Sequence, residues 1–94
     1  MTWQETKSKI LEVYAMVINS LKKRYSFEEV ADGVQFQNTK GIPFIVYAMG
    51  AADPWNFLTI EYEDTGEDGD AYYPEDYDNF DDMLIEMLTE IEEA

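Results

Sequence analysis

The chain has 94 residues, with six Lys or Arg, 21 Asp or Glu, no His and no Cys, for a formal charge of −15. That length supports one core rather than two, and 46% apolar and 15% aromatic residues exceed what a disordered acidic tail contains. The missing Cys and His exclude disulfides, thiolate metal sites and the usual neutral-pH general base, while the charge opposes direct binding to nucleic acid or anionic lipid.

The first predicted element is a helix from Thr2 to Arg24. Thr2 and Glu5 have capping-box spacing, and Trp3, Ile10, Tyr14, Val17 and Leu21 fall on one helical face. Lys22, Lys23 and Arg24 suit the negative end of its dipole. Strands are then expected at Phe27 to Ala31 and Val34 to Gln37, joined by a two-residue turn at Asp32-Gly33. Asn38 to Gly41 makes a second turn before an apolar strand, Ile42 to Met49. Gly50 to Pro54 breaks the chain, and Trp55 to Glu63 alternates as a fourth strand. Trp3 and Trp55 read as core residues, although an exposed Trp55 beside Pro54 would mark a contact site.

Glu63 to Asp76 reads as an acidic loop broken by Gly66, Gly69 and Pro74, with Tyr72 and Tyr73 able to add a brief further strand. The closing helix spans Asp78 to Glu92. Its Phe80, Met83, Leu84, Met87, Leu88 and Ile91 keep helical spacing without a miss. Glu90, Glu92 and Glu93 crowd the wrong end of its dipole, which asks for a reason. The expectation is one acidic α+β domain over residues 1–94. It has an N-terminal helix, a four-stranded antiparallel meander and a C-terminal helix, with both helices on one face of the sheet.

Charge is unevenly spread. Residues 1–40 hold all six basic side chains and five acids, whereas residues 41–94 hold sixteen acids and no base. The densest stretch is Glu61, Glu63, Asp64, Glu67, Asp68, Asp70, Glu75, Asp76, Asp78, Asp81 and Asp82. Two such charges about 7 Å apart repel by roughly 0.6 kcal/mol even in water, so many pairs without a cation add to several kcal/mol. Alternate side chains on a strand lie about 7 Å apart, comparable in order of magnitude with the roughly 3.4 Å phosphate spacing of a DNA strand. A groove that neutralises phosphates with Lys and Arg would accept such a surface. Tyr72, Tyr73 and Tyr77 stand among these acids as candidate interface anchors. The bland alternative is a solvated face that keeps a small domain soluble and monomeric.

Two chemical readings compete with binding. Asp64, Asp68, Gly69 and Glu75 match positions 1, 5, 6 and 12 of a calcium loop, but Gly66 stands at position 3 and Pro74 at 11. Carboxylate pairs also serve glycosidases, which need a cleft that a thin core leaves little room for. No enzyme activity, metal or cofactor is therefore expected. No apolar run reaches the roughly 18 residues of a membrane span and no basic-then-apolar leader is visible, so the expectation is a cytoplasmic protein without a membrane partner.

A short acidic chain of this organisation, with Trp55-Asn56, Glu61-Tyr62-Glu63-Asp64 and Asp81-Asp82-Met83, resembles phage-encoded inhibitors that mimic DNA. Among that class are several anti-CRISPR proteins (Cas9 blockers included), anti-restriction proteins and uracil-DNA glycosylase inhibitors. The likeness is one of composition and assigns no role to an individual residue. It implies inhibition of a nucleic-acid-binding enzyme by occupying its DNA- or PAM-reading groove. A rival resemblance is to acidic secretion chaperones and toxin-immunity proteins, which implies contact through an apolar sheet or helix face. Oligomeric state is left open.

Overall fold

The computed structural model describes residues 2–50 and 56–94. The expected break at Gly50 to Pro54 and the role of Trp55 therefore fall largely outside the described residues. One helical turn, α1 (Trp3–Thr6), precedes the helix α2 (Ile10–Lys22). The single helix expected from Thr2 to Arg24 is thus two pieces. Lys9 leaves helical geometry at φ −107°, ψ 85°, and the bend directs Trp3 onto the C-terminal half of the chain. The indole N–H donates to the Tyr77 carbonyl at 2.8 Å, and the ring lies 6.0 Å from Phe80. That tertiary contact outweighs the propensity for a continuous helix. Thr2 makes no side-chain cap; the Thr6 hydroxyl instead donates to the Thr2 carbonyl at 3.0 Å.

Among the described residues, five strands form one antiparallel sheet in chain order: β1 (Ser26–Val30), β2 (Gly33–Gln37), β3 (Pro43–Met49), β4 (Phe57–Tyr62) and β5 (Glu67–Tyr72). The first hairpin turns at Ala31-Asp32, one residue earlier than expected, and Gly33 opens β2 at φ +141°. Its positive φ is the conformation glycine supplies without steric cost. Register then sets the two faces. Phe27, Phe36, Phe44 and Tyr62 line up across four strands, with Val46 beside Ile60 and Ala48 beside Leu58 and Tyr72. This face buries Phe36, Phe44, Val46, Leu58 and Ile60 against Val13, Val17 and Leu21 of α2. The same core takes Met83, Met87 and Ile91 from the helix α3 (Phe80–Glu93). α2 lies over β2, β3 and β4, and α3 over β5.

The fifth strand replaces most of the acidic loop expected from Glu63 to Asp76. Glu67–Tyr72 pairs with β4, and a bulge sets Gly69 and Asp70 together opposite Ile60. Only Pro74–Asp76 forms a 3-10 turn before α3. At its N-terminus, α3 is capped by Asn79, whose side chain accepts from the Asp82 N–H at 2.9 Å. The turn between β2 and β3 receives its other end. Buried Asn38 donates to the Ile91 carbonyl at 2.8 Å and accepts from the N–H groups of Lys40 (2.9 Å) and Ile42 (3.0 Å). Lys40 donates to the Glu92 carbonyl at 2.7 Å, placing a cation where the helix dipole is negative.

Asn38→Ala would leave three backbone groups without partners, each costing about 1 kcal/mol or more. Its expected effect is a loss of about 3 kcal/mol in urea denaturation. A cost below about 0.5 kcal/mol would mean that this turn does not hold α3.

Candidate functional site

The acids singled out in the sequence lie on β4, on the edge strand β5, in the 3-10 turn and at the start of α3, and this β5 side of the fold is the acidic flank. Glu61 and Asp68 sit directly opposite each other on the sheet face away from the helices. Glu63, Asp64 and Glu67 crowd the β4–β5 connection, and Asp70 stands at the bulge. Glu75 and Asp76 project from the 3-10 turn, Asp78 precedes α3, and Asp81 and Asp82 lie in its first turn. Glu61 is half-buried and the other ten are exposed. Among the described residues the single ion pair is Lys7 with Glu75, at 3.9 Å and on the surface, where such a pair contributes at most about 1 kcal/mol. The carboxylates are therefore not folded back onto the basic side chains of the first forty positions.

The tyrosines are placed differently from the acids. Tyr72 is a core residue, 4% exposed, and its hydroxyl donates to Glu90 Oε1 at 2.7 Å. Tyr62 donates to the other oxygen of the same carboxylate, and the Asp70 N–H reaches Oε1 at 2.9 Å. Gly69 makes room for this knot, because a Cβ there would lie 2.7 Å from Glu90 Cδ. Tyr77 donates to Glu86, and Tyr73 packs its ring 5.3 Å from Phe57. Of the three expected anchors, Tyr72 is thus committed to the interior, while Tyr73 and Tyr77 remain half-buried at the surface.

Burial, and then the Glu90 carboxylate, push Tyr62 and Tyr72 well above the ordinary phenol value of 10.0. Burial and Glu86 act alike on Tyr77, and burial and Glu92 push Tyr25 up to about 12. Glu92 is held below the usual carboxylate range chiefly by the Thr39 hydroxyl.

Three acids that the sequence reading left out of the site, Glu86, Glu90 and Glu93, complete the flank. A groove of 460 Å³ opens beside Gly69, lined among others by Ile42, Tyr62, Asp64, Glu67, Glu90 and Glu93. A second hollow of 340 Å³ shares Asp70, Glu90 and Glu93 with it and adds Glu86. Helical spacing carried the missing signal, since Asp82, Glu86 and Glu93 recur on one side of α3. The residues that match a calcium loop do not form one: Asp68 lies within β5, and among the described residues no group of three acids converges on a point fit for a metal. Ionised carboxylates accept hydrogen bonds and donate none. The flank is therefore complementary to a cationic, donor-rich surface.

Compared with known protein families, curated protein sequences and solved structures, the chain matches none. No helix among the described residues is long and apolar enough to cross a membrane.

Gly69→Ala forces the Glu90 carboxylate off its three donors, so the expected cost is about 2 kcal/mol in chemical denaturation. In a Glu90→Ala background the same change should cost almost nothing, and equal costs in both backgrounds would disprove the coupling. Tyrosines with raised folded values stabilise the fold fully below pH 10.0 and lose that contribution as pH climbs through about 12 and beyond. The melting temperature should hold from pH 7 to about 9.5 and then decline. Tyr62→Phe with Tyr72→Phe should make that decline shallower.

Proposed function

We propose that the protein is a non-catalytic inhibitor whose acidic flank docks in the basic, nucleic-acid-binding groove of a partner enzyme, in the manner of a DNA mimic. The observation that carries this reading is the uncompensated flank itself: of the eleven acids from Glu61 to Asp82, Glu75 alone has a basic partner, and that at 3.9 Å. Like charges that are not neutralised within the molecule are stabilised when a cationic surface takes them. A groove evolved for phosphates offers such a surface in elongated form, and the β4–β5 connection, the 3-10 turn and the start of α3 all carry carboxylates. The setting is the cytoplasm, where such enzymes meet their nucleic acid. Direct binding to nucleic acid or membrane is opposed by the same charge.

A second reading, a chaperone-like or immunity-type module that binds through an apolar helix face, draws on Leu11 and Ile85, which are 67% and 61% exposed. Salt separates the two. Electrostatic docking weakens steeply as ions screen it, whereas an apolar contact barely responds.

The partner is to be recovered by affinity capture from the native host and challenged with duplex DNA. The expected result is mutually exclusive binding, with affinity falling about a hundredfold between 50 and 200 mM salt, by analogy with the phosphate contacts being imitated. Asp81→Lys with Asp82→Lys should weaken the complex about tenfold at low salt. A partner that holds DNA and this protein together would refute mimicry.

A further inference from the structure

The two edges of the sheet are built unlike each other. β5 is closed to further pairing by its bulge, by Glu67, Asp68 and Asp70, and by Glu90, which takes the Asp70 N–H. β1 has none of these devices beyond its charges. Its register with β2 is unbroken from Ser26↔Gln37 to Val30↔Gly33, and among the described residues it pairs on that side alone. Ser26, Phe27, Glu28 and Glu29 are exposed and Val30 half-buried. Phe27 is 49% exposed although it faces the helix side, with Lys22 Nζ 5.1 Å from its ring centroid. A shallow hollow of 170 Å³ runs beside it, lined by Ser26, Phe27, Glu28, Gln35 and Gln37.

We infer that β1 is a docking edge that accepts an extended strand of a partner protein, one with two adjacent basic residues beside an apolar residue. Successive strand residues point to opposite faces, so Glu28 and Glu29 offer one carboxylate on each side of the sheet. A strand added alongside meets both only if two consecutive residues are Lys or Arg, and its neighbouring position falls against Phe27. The glutamates repel an acidic strand and find nothing in a neutral one to offset their desolvation, and so favour a basic one. The remaining affinity comes from backbone hydrogen bonds, as in other strand additions. A second copy of this chain is a poor occupant. Antiparallel pairing of two β1 strands along their full length puts Glu28 opposite its own counterpart, and like charges directly opposite destabilise. The edge lies four strands from β5, roughly 19 Å away, and does not depend on the acidic flank being a DNA mimic.

The probe is a capped synthetic peptide, Thr-Val-Lys-Lys-Val-Thr, added to isotope-labelled protein at about 0.15 M salt. Amide exchange should slow about tenfold across Ser26–Val30, with the shift changes centred there. The companion peptide Thr-Pro-Lys-Lys-Pro-Thr, equally charged but short of backbone donors, should bind much more weakly. Glu28→Gln with Glu29→Gln should weaken the first peptide about tenfold, while Asp81→Lys with Asp82→Lys should leave its effect on β1 intact. Equal binding of both peptides, or changes confined to β5 and α3, would show charge attraction alone and overturn the inference. So would sedimentation showing that β1 pairs with a second copy of the chain.

Discussion

The carboxylate of Glu90, gripped by the Tyr62 and Tyr72 hydroxyls and the Asp70 N–H, is the contact through which β5 and α3 hold each other. β5 has little else to hold it, whereas α3 is also held by Met83, Met87 and Ile91 in the core and by Asn38 at its end. β5 reads Glu-Asp-Gly-Asp-Ala-Tyr, pairs among the described residues with β4 alone and buries little besides Tyr72. In α3, Glu90 lies near the negative end of the helix dipole, a placement that costs up to about 1 kcal/mol. Three hydrogen bonds to a charged acceptor, at about 1.5 kcal/mol or more each, outweigh that cost. Gly69 belongs to the same unit, since any side chain there would occupy the carboxylate's space. Glu90, which looks misplaced in isolation, is thus a joint between the helix and the sheet. Glu92 follows the same logic, with its side chain on Thr39 and its carbonyl on Lys40.

This use of a few carboxylates as joints leaves the others without internal employment. The cations available are already engaged or distant: Lys40 serves the end of α3, Lys22 lies over Phe27, and Lys7 approaches Glu75 no closer than 3.9 Å. Glu61 and Asp68, directly opposite across β4 and β5, are a cross-strand pair of the kind that destabilises a sheet. The fold tolerates this because its apolar core is well filled. Phe36, Phe44, Leu58, Ile60, Met83, Met87 and Ile91 are all fully buried, each contributing about 1.5–3 kcal/mol. Repulsion along the flank is then a cost the core can offset.

What the sequence made legible followed hydrophobic period. The unbroken stripe from Phe80 to Ile91 located α3, and the apolar run ending at Met49 located β3, because in both cases the burying face is written locally. Of β5 only the end at Tyr72 was legible, as part of a brief further strand with Tyr73; the rest was hidden because its support is not local: Glu90 stands twenty residues from Asp70, and an acidic strand with one glycine has no hydrophobic period to read. The break before Ile10 was hidden likewise, since Trp3 is drawn aside by Tyr77, 74 positions away. For the site, the density of acids from Glu61 to Asp82 was plain in the sequence. That Glu86, Glu90 and Glu93 join them depends on α3 lying over β5, which composition does not encode. The placement of Tyr72 in the core turned on the strand register that a loop assignment conceals.

Drawing the tyrosine hydroxyls onto glutamates has a consequence for recognition. Tyr62, Tyr72 and Tyr77 spend their donors within the molecule, so a partner of the proposed kind would meet the flank almost wholly through acceptors. Such a surface attracts at long range and speeds encounter, yet carboxylates alone fix orientation poorly, because exposed charge pairs are individually weak. Register would then rest on the few apolar features that interrupt the acids, namely the half-buried rings of Tyr73 and Tyr77 and the exposed Ile85 on α3. The arrangement resembles the division of labour at a protein–DNA interface, where phosphate contacts supply attraction and sparse contacts of another kind supply choice. A binding partner with cations but no matching apolar recess would be drawn to the flank and released again. One with both would be retained.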